Sequence, residues 1–305
     1  MQHSIMSYPN RSADGDSGYR GNCAGQVIED VIAQYIPSGN GVFVDACAGS
    51  GTSRDVINRA FPEVQGVYLD LNGRYGPRFD FTSMSIRDEV VKQTGREADV
   101  CFTHPPYGSM IKYSGSVWGS EPDKDDTSQC SEEEFLERSR FMLFNQRDAV
   151  CPSGHYMTLI GDRRYKGSYS SYQADFINMM PRDELRAVLI KAQHNCVSDS
   201  RSYSRMKHPR IAHEYLLVWE KTAQRFFVLA YNKASEHVRQ IKGTWRFIIR
   251  FVLMKLGGKA TLDKIYCEIE KVAGDKKSSN PTWKATVRRT LQEEAENIER
   301  GVWAI

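Results

Sequence analysis

Between Gly41 and Arg54 the chain passes from a short apolar run, Gly41-Val-Phe-Val-Asp45, through the small-residue loop Ala46-Cys-Ala-Gly49-Ser-Gly51-Thr52-Ser, into a stretch with helical character from about Arg54. A buried strand that ends in such a loop and turns directly into a helix is the ligand-binding corner of an open α/β sheet. Its glycines let the backbone approach a bound molecule, and the helix start presents N–H groups with no partner inside the helix. A second strand, Gly66-Val-Tyr-Leu69, ends in Asp70. An acidic residue about 20 positions past the glycines suits a ribose, whose two hydroxyls one carboxylate can accept. The plainer role for Asp70 is to cap a turn before Asn72-Gly73. Phe79-Asp80-Phe81 ends a third short stretch, and carboxylates at successive strand ends fall on one edge of the sheet, where ligands bind.

A further strand, Asp99 to Thr103, closes on His104-Pro105-Pro106-Tyr107. The prolines donate no backbone hydrogen bonds and hold the chain extended, so their carbonyls stay free to accept. With an acceptor side chain before them and an aromatic face after them, the corner suits a planar amino group: two acceptors for its N–H bonds and a ring for the attached base. A Pro-rich turn with a buried tyrosine is the bland alternative.

Taken together, Asp45-Ala-Cys-Ala-Gly-Ser-Gly-Thr52 and His104-Pro-Pro-Tyr107 resemble the two motifs of the S-adenosylmethionine-dependent DNA amino-methyltransferases. Three other segments match in order. Tyr19-Arg-Gly-Asn22-Cys resembles the segment beside the methionine end of the cofactor, Gly154-His-Tyr-Met-Thr-Leu-Ile-Gly161-Asp-Arg-Arg the next strand and turn, and His213-Glu-Tyr-Leu-Leu-Val-Trp-Glu-Lys221 the late strand. The likeness spans residues 19–221. It departs from the family at His104, where Asn, Asp or Ser is usual, and at Ala46-Cys47, where Pro-Phe is commoner.

The resemblance implies a methyl transfer from S-adenosylmethionine to an exocyclic amine, adenine N6 favoured, with cytosine N4 served equally by the same corner. RNA, a protein glutamine amide, or a DNA-binding module without catalysis are the other readings. It implies His104 and the Pro105 carbonyl as the two acceptors, with Pro106 shaping the corner and Tyr107 stacking on a base that has left the duplex. The cofactor would run from Asn22 along Asp45, Ala46, Cys47, Gly49, Gly51 and Thr52 to Asp70 at the ribose and Asp80 near the adenine. Histidine accepts only when neutral, so an unperturbed pKa of about 6.5 predicts that activity falls on acidification near neutrality. No cysteine nucleophile is required, which argues against cytosine C5 methylation.

Around this core, residues 1–22 read as a polar arm and Val27 to Tyr35 as one face of a helix. Gly108 to Cys130 is a long aperiodic loop placed to close over a base, and Glu132 to Val150 is a helix packing through Phe135, Leu136, Phe141, Met142 and Phe144. Arg163, Arg164, Lys166 and the nearby tyrosines, then Arg201, Arg205, Lys207 and Arg210, mix cations with aromatics or polar loop residues as a nucleic-acid surface would.

From about Thr222 the pattern changes to three helices and a terminal hairpin, a winged-helix-like order whose third helix carries Lys284, Arg288 and Arg289. Residues 223–305 hold 16 Lys/Arg against 9 Asp/Glu, whereas residues 1–222 hold 25 against 29. A basic tail on a mildly acidic body points to an acidic partner, with DNA foremost. The expected organisation is therefore an α/β Rossmann-like methyltransferase domain over 1–222 and a winged-helix-like DNA-binding domain over 223–305. No apolar run approaches the ~20 residues of a membrane span, and the first ten residues lack a signal-peptide core. Seven cysteines without a Cys-x-x-Cys suggest free thiols in a reducing cytoplasm and no structural zinc. Many relatives dimerise, so a homodimer and a cognate restriction enzyme are further partners that the resemblance raises.

Overall fold

A computed structural model describes residues 3–194, 207–222 and 244–305. Ile5–Met6 forms β1, and Gly25–Tyr35 forms α1, which buries Val27, Ile28, Val31 and Ile32 at helical spacing. The apolar run becomes β2 (Val42–Asp45), buried at every position. The glycine loop leads into α2 (Thr52–Ala60), two residues earlier than expected, and then β3 (Gln65–Tyr68). The third stretch is a turn and not a strand: Asp70 and Arg78 share only an isolated bridge. Ser85 caps α3 (Ile86–Thr94), accepting from the Asp88 N–H at 3.1 Å, and Gly95 closes it in the left-handed conformation. β4 (Ala98–Thr103) then carries the chain to His104.

α4 (Glu132–Ala149) is capped by Ser131 and opens with three glutamates that complement its N-terminal dipole. It buries the expected Phe135, Phe141, Met142 and Phe144, but also Asn145, Gln146, Arg147 and Asp148. After it come β5 (Val150–Ile160), a hairpin of β6 (Arg163–Tyr165) and β7 (Ser168–Ser170), and α5 (Tyr172–Met179). β8 (Leu185–Ala192) and β9 (His213–Glu220) complete the body.

Among the described residues, the central sheet has seven strands in the order β1-β8-β9-β5-β4-β2-β3. β9 alone runs antiparallel to both its neighbours; the other described pairings are parallel. This is the Rossmann-like α/β sheet expected from the sequence, with an antiparallel late strand. The strand order reverses between β2 and β4, the crevice where such sheets bind ligands. One correction concerns the N-terminal arm. It is not wholly outside the core, because β1 pairs with β8 at the sheet edge and buries Met6.

Residues 223–243, where the expected domain boundary falls, lie outside the described residues. Beyond them come α6 (Trp245–Lys255), β10 (Lys259–Thr261), α7 (Leu262–Val272), the short α8 (Gly274–Ser278) and α9 (Trp283–Glu294), then β11 (Glu296–Glu299) and β12 (Val302–Ala304). Thr261 caps α7, accepting from the Lys264 N–H at 3.4 Å. α9 starts two residues beyond Pro281, with Thr282 at its cap and the Asn280 side chain accepting from the Thr282 N–H. The three strands pair in the order β10-β12-β11. The apolar faces of α6, α7 and α9 share one core with Phe141 of α4, so this unit is packed onto the body.

Candidate active site

A cleft of about 780 Å³, counted to its open mouth, lies along the carboxyl edges of β2, β3 and β4. Its floor is the glycine loop. Asp45 ends β2 almost fully buried, with one oxygen accepting the Cys47 N–H at 3.0 Å and the other the Ser53 hydroxyl. Burial pushes this carboxyl up to about 6, against the opposing hydrogen bonds from Ser53 and Cys47. Asp45 therefore shapes the loop directly. Gly51 has φ 85°, and a Cβ there would sit 2.5 Å from the Tyr75 ring; Gly49, at φ 46°, would bring one within 3.3 Å of Tyr19. Ala46 is buried and donates its N–H to the Phe102 carbonyl at 3.1 Å, locking β2 to β4 beneath the loop. Thr52 starts α2 with its hydroxyl 3.2 Å from that of Ser50.

Asp70 accepts the Gly49 N–H at 2.8 Å and the Asn72 N–H at 2.9 Å. It thus does both things the sequence allowed: it caps its turn and it lines the cleft. Burial raises its pKa. Asp80 accepts from the Thr82 N–H and hydroxyl and the Ser83 hydroxyl, at 2.9, 2.6 and 2.5 Å, and holds the far wall beside Phe79 and Phe81. Asn22 is tied down by donating to the Asp16 carbonyl at 2.8 Å. The long loop after Tyr107 closes over the cleft, which Tyr113, Trp118 and Asp126 line from above. Asp126 organises that loop by accepting the Ser114 N–H at 2.7 Å and the Ser128 N–H at 2.8 Å.

At the inner end stand His104 and Pro106. Pro105 is buried, and no described residue donates to its carbonyl. Tyr107 is not among the cleft-lining residues. Its ring packs against Gly161, where an added Cβ would meet it at 2.6 Å. Its hydroxyl donates to Glu214 Oε1 at 2.8 Å and lies 2.7 Å from His104 Nε2. Glu214 in turn pairs with the Lys191 ammonium and accepts from Gln193 Nε2 at 2.9 Å. Burial, opposed by the Glu214 carboxylate, lowers the His104 pKa to about 4. The acid limb expected near 6.5 is therefore displaced downward, because the site desolvates the imidazolium.

Among the described residues, the cleft is lined by five aspartates, 45, 70, 80, 125 and 126, and by no lysine or arginine. Such a wall repels a polyphosphate and suits a ligand with cationic centres. Backbone approach at the glycines, carboxylates toward a diol and an acidic wall together fit S-adenosylmethionine, whose sulfonium and ammonium are both positive. The Cys47 thiol lines the cleft too, but burial raises its pKa and keeps it protonated at neutral pH. No metal-binding group of side chains is found among the described residues.

The candidate nucleic-acid residues separate. Arg164 and Lys166 are exposed on the β6–β7 hairpin beside Tyr165 and Tyr169, which are 55% and 46% exposed. Arg163 is buried under the hairpin, its guanidinium 4.7 Å from the Tyr165 ring centre, and is poorly placed for a phosphate. Lys207 is exposed, whereas Arg201 and Arg205 lie outside the described residues. Lys284, Arg288 and Arg289 are all exposed on α9.

Three supporting residues escaped sequence reasoning. Asn145 donates to the Phe81 and Met84 carbonyls at 2.8 and 2.7 Å, fixing the Asp80 turn. Gln146 donates to Thr103 and accepts from Thr158 at 3.1 Å, pinning the strand end just before His104. Their only sequence signal is adjacent polar residues on the inner face of an otherwise amphipathic helix. Glu214, in β9, carries no sequence signal of its own.

No protein-family model matches the chain, and no curated protein matches it significantly. Among solved structures it is similar to TrmN from Thermus thermophilus, at 13% identity over 67% of this chain and 51% of that one, with a TM-score of 0.42. A candidate DNA modification methylase from the same organism, complexed with S-adenosyl-L-methionine, matches at 18% identity over 47% and 56%, TM-score 0.29. The N-methyltransferase NodS from Bradyrhizobium japonicum, complexed with S-adenosyl-l-homocysteine, matches at 10% over 64% and 86%, TM-score 0.37. The chain spans about half the length of the first of these. With TM-scores this low, the fold assignment rests on the sheet order and not on these neighbours.

Proposed function

We propose that the protein is an S-adenosylmethionine-dependent methyltransferase that methylates the exocyclic amino group of a base in DNA, with adenine N6 favoured. The observation that carries this is one continuous cleft joining an acidic glycine-loop floor, with no lysine or arginine among the described residues that line it, to His104 and Pro106. When bound there, the cofactor supplies a methyl group on a positively charged sulfur. The chain's own residues orient the acceptor. A neutral His104 and the Pro105 carbonyl take the two N–H bonds of the amine, which localises the nitrogen lone pair and disperses the charge that develops on it. Once the C–N bond forms and the C–S bond breaks, the nitrogen sheds one proton. An imidazole of such low basicity does not keep that proton at neutral pH, so it passes to solvent.

The helix–strand–helix–helix–helix–strand–strand order of residues 245–304, with α8 a short helix of one turn or so, supports reading this unit as a winged helix, with α9 presenting Lys284, Arg288 and Arg289 to duplex phosphates and bases. The test is mass spectrometry of nucleosides from DNA incubated with protein and isotopically labelled cofactor. N6-methyladenine is expected. N4-methylcytosine would move the target, and label appearing in RNA alone or in neither nucleic acid would overturn the reading.

A further inference from the structure

We infer that Glu214, acting through Tyr107, is a positioning residue that holds His104 in its Nε2–H tautomer and leaves Nδ1 as the unprotonated acceptor. This rests on the reading of His104 as the amine acceptor. The chain of donors dictates the assignment. Lys191 and Gln193 both donate to Glu214, and an ionised carboxylate only accepts. The single Tyr107 hydroxyl proton therefore goes to Glu214 Oε1, 2.8 Å away. The Tyr107 oxygen can then only accept from His104 Nε2, at 2.7 Å, so Nε2 carries the ring proton. A neutral imidazole has one N–H, and the lone pair is left on Nδ1. No described residue donates to Nδ1, and His104 lines the cleft.

The groups around this ring keep it neutral. The Glu214 carboxylate draws a proton toward it, Lys191 and Arg11 repel one, and burial, the largest influence, disfavours the imidazolium. Burial is the largest single influence on Glu214 and disfavours its carboxylate, but the opposing influences together, the Lys191 ammonium first among them, outweigh it and keep that carboxyl ionised. The device answers a problem specific to this chain. The Asn, Asp or Ser usual at this motif position presents a side-chain oxygen that can accept without a tautomer being chosen. A histidine there accepts only if its tautomer is held, because an Nδ1–H would meet the substrate's N–H donor to donor. Lys191, Gln193 and Glu214 supply that hold through Tyr107, from positions more than 80 residues beyond the motif.

The test is two-dimensional long-range 1H–15N correlation of the full protein with 15N-labelled histidine, in the absence of cofactor and DNA. Comparison with His104→Asn identifies the His104 signals among the seven histidines. The expected pattern shows Nδ1 at the downfield position of an unprotonated nitrogen and Nε2 at the upfield position of an N–H. In Glu214→Gln the amide can turn its N–H toward Tyr107 and reverse the chain, so the two signals should move toward each other or exchange. Turnover should fall about 10- to 100-fold, as for loss of one hydrogen bond to a developing charge, with cofactor affinity unchanged. A protonated Nδ1 in the unaltered protein, or an unchanged pattern in Glu214→Gln, would overturn the inference. If Glu214→Gln does not fold by circular dichroism, Tyr107→Phe provides the same comparison. Because the spectrum needs neither cofactor nor substrate, it fails or holds independently of methyl transfer itself.

Discussion

At Gly51 a left-handed backbone and the Tyr75 ring, 2.5 Å from any added Cβ, both act against a side chain. Gly51→Ala should cost about 1–3 kcal/mol, seen as a lower melting temperature, and should weaken cofactor binding because Tyr75, which donates to the Ser50 carbonyl at 2.7 Å, must move. Asp70 offers a cleaner separation. Asp70→Ala removes a carboxylate of the cleft and none of the candidate DNA-contacting cations, so isothermal titration should show cofactor affinity reduced at least tenfold while DNA affinity stays level; an unaltered cofactor affinity would remove the ribose role. At His104 the lowered pKa of about 4 sets the pH profile. The neutral ring is the competent form, so single-turnover methylation should stay level from pH 8 to 5.5 and decline only as pH approaches 4. Stability has the same sign: the unfolded chain takes up this proton near 6.5 and the folded chain does not until about 4, so His104 subtracts stability progressively as pH falls through that window. An acid limb centred near 6.5 would mean a different titrating group controls the reaction.

At the scale of elements, α4 has two faces. Its aromatic residues pack the cores, while Asn145 and Gln146 tie the Asp80 turn and the β4 end to a single rigid helix. The two ends of the cleft are thereby held at a constant separation, which in-line transfer requires. The cationic elements differ in kind. α9 presents three exposed cations on one surface, and the β6–β7 hairpin presents Arg164 and Lys166 beside exposed tyrosines. Replacing Lys284, Arg288 and Arg289 together by alanine should weaken DNA binding. It should also flatten the dependence of log affinity on log salt by up to about 3, one for each phosphate no longer neutralised, without altering cofactor binding. An unchanged salt slope would argue that α9 faces away from the duplex.

For the molecule as a whole, the basic C-terminal unit is not a loosely tethered arm. Phe141 of α4 packs edge-on between Phe247 and Phe251, with ring centres 5.7 and 5.0 Å apart, and Arg250 forms an ion pair with Asp148 at 3.0 Å. Burial alone would raise the Asp148 pKa; Arg250, with Lys221 and Arg246, outweighs it and holds the carboxyl below its usual range. Arg250→Ala strands this carboxylate in the interface and should cost about 3 kcal/mol, measured by denaturant unfolding. The contribution of the pair is complete above the ordinary carboxylate pKa and is lost as pH falls through the lowered one. A change within about 0.5 kcal/mol would mean that the interface opens to water and leaves Asp148 solvated.

Much of the body was legible in the sequence. The runs that became β2, β3 and β4, the glycine loop between β2 and α2, and the packing faces of α1 and α4 are all local patterns of periodicity and side-chain chemistry. Such patterns act within a few residues, so one sequence carries them. What the sequence left open at the candidate site was decided by contacts between distant segments. β1 pairs with a strand some 180 residues later, and Tyr107 binds Glu214 across a separation of 107 residues. His104 is the sharpest instance. Its place at the end of a strand followed by two prolines could be read directly, but its protonation could not, because the basicity and tautomer of an imidazole belong to the groups packed around it.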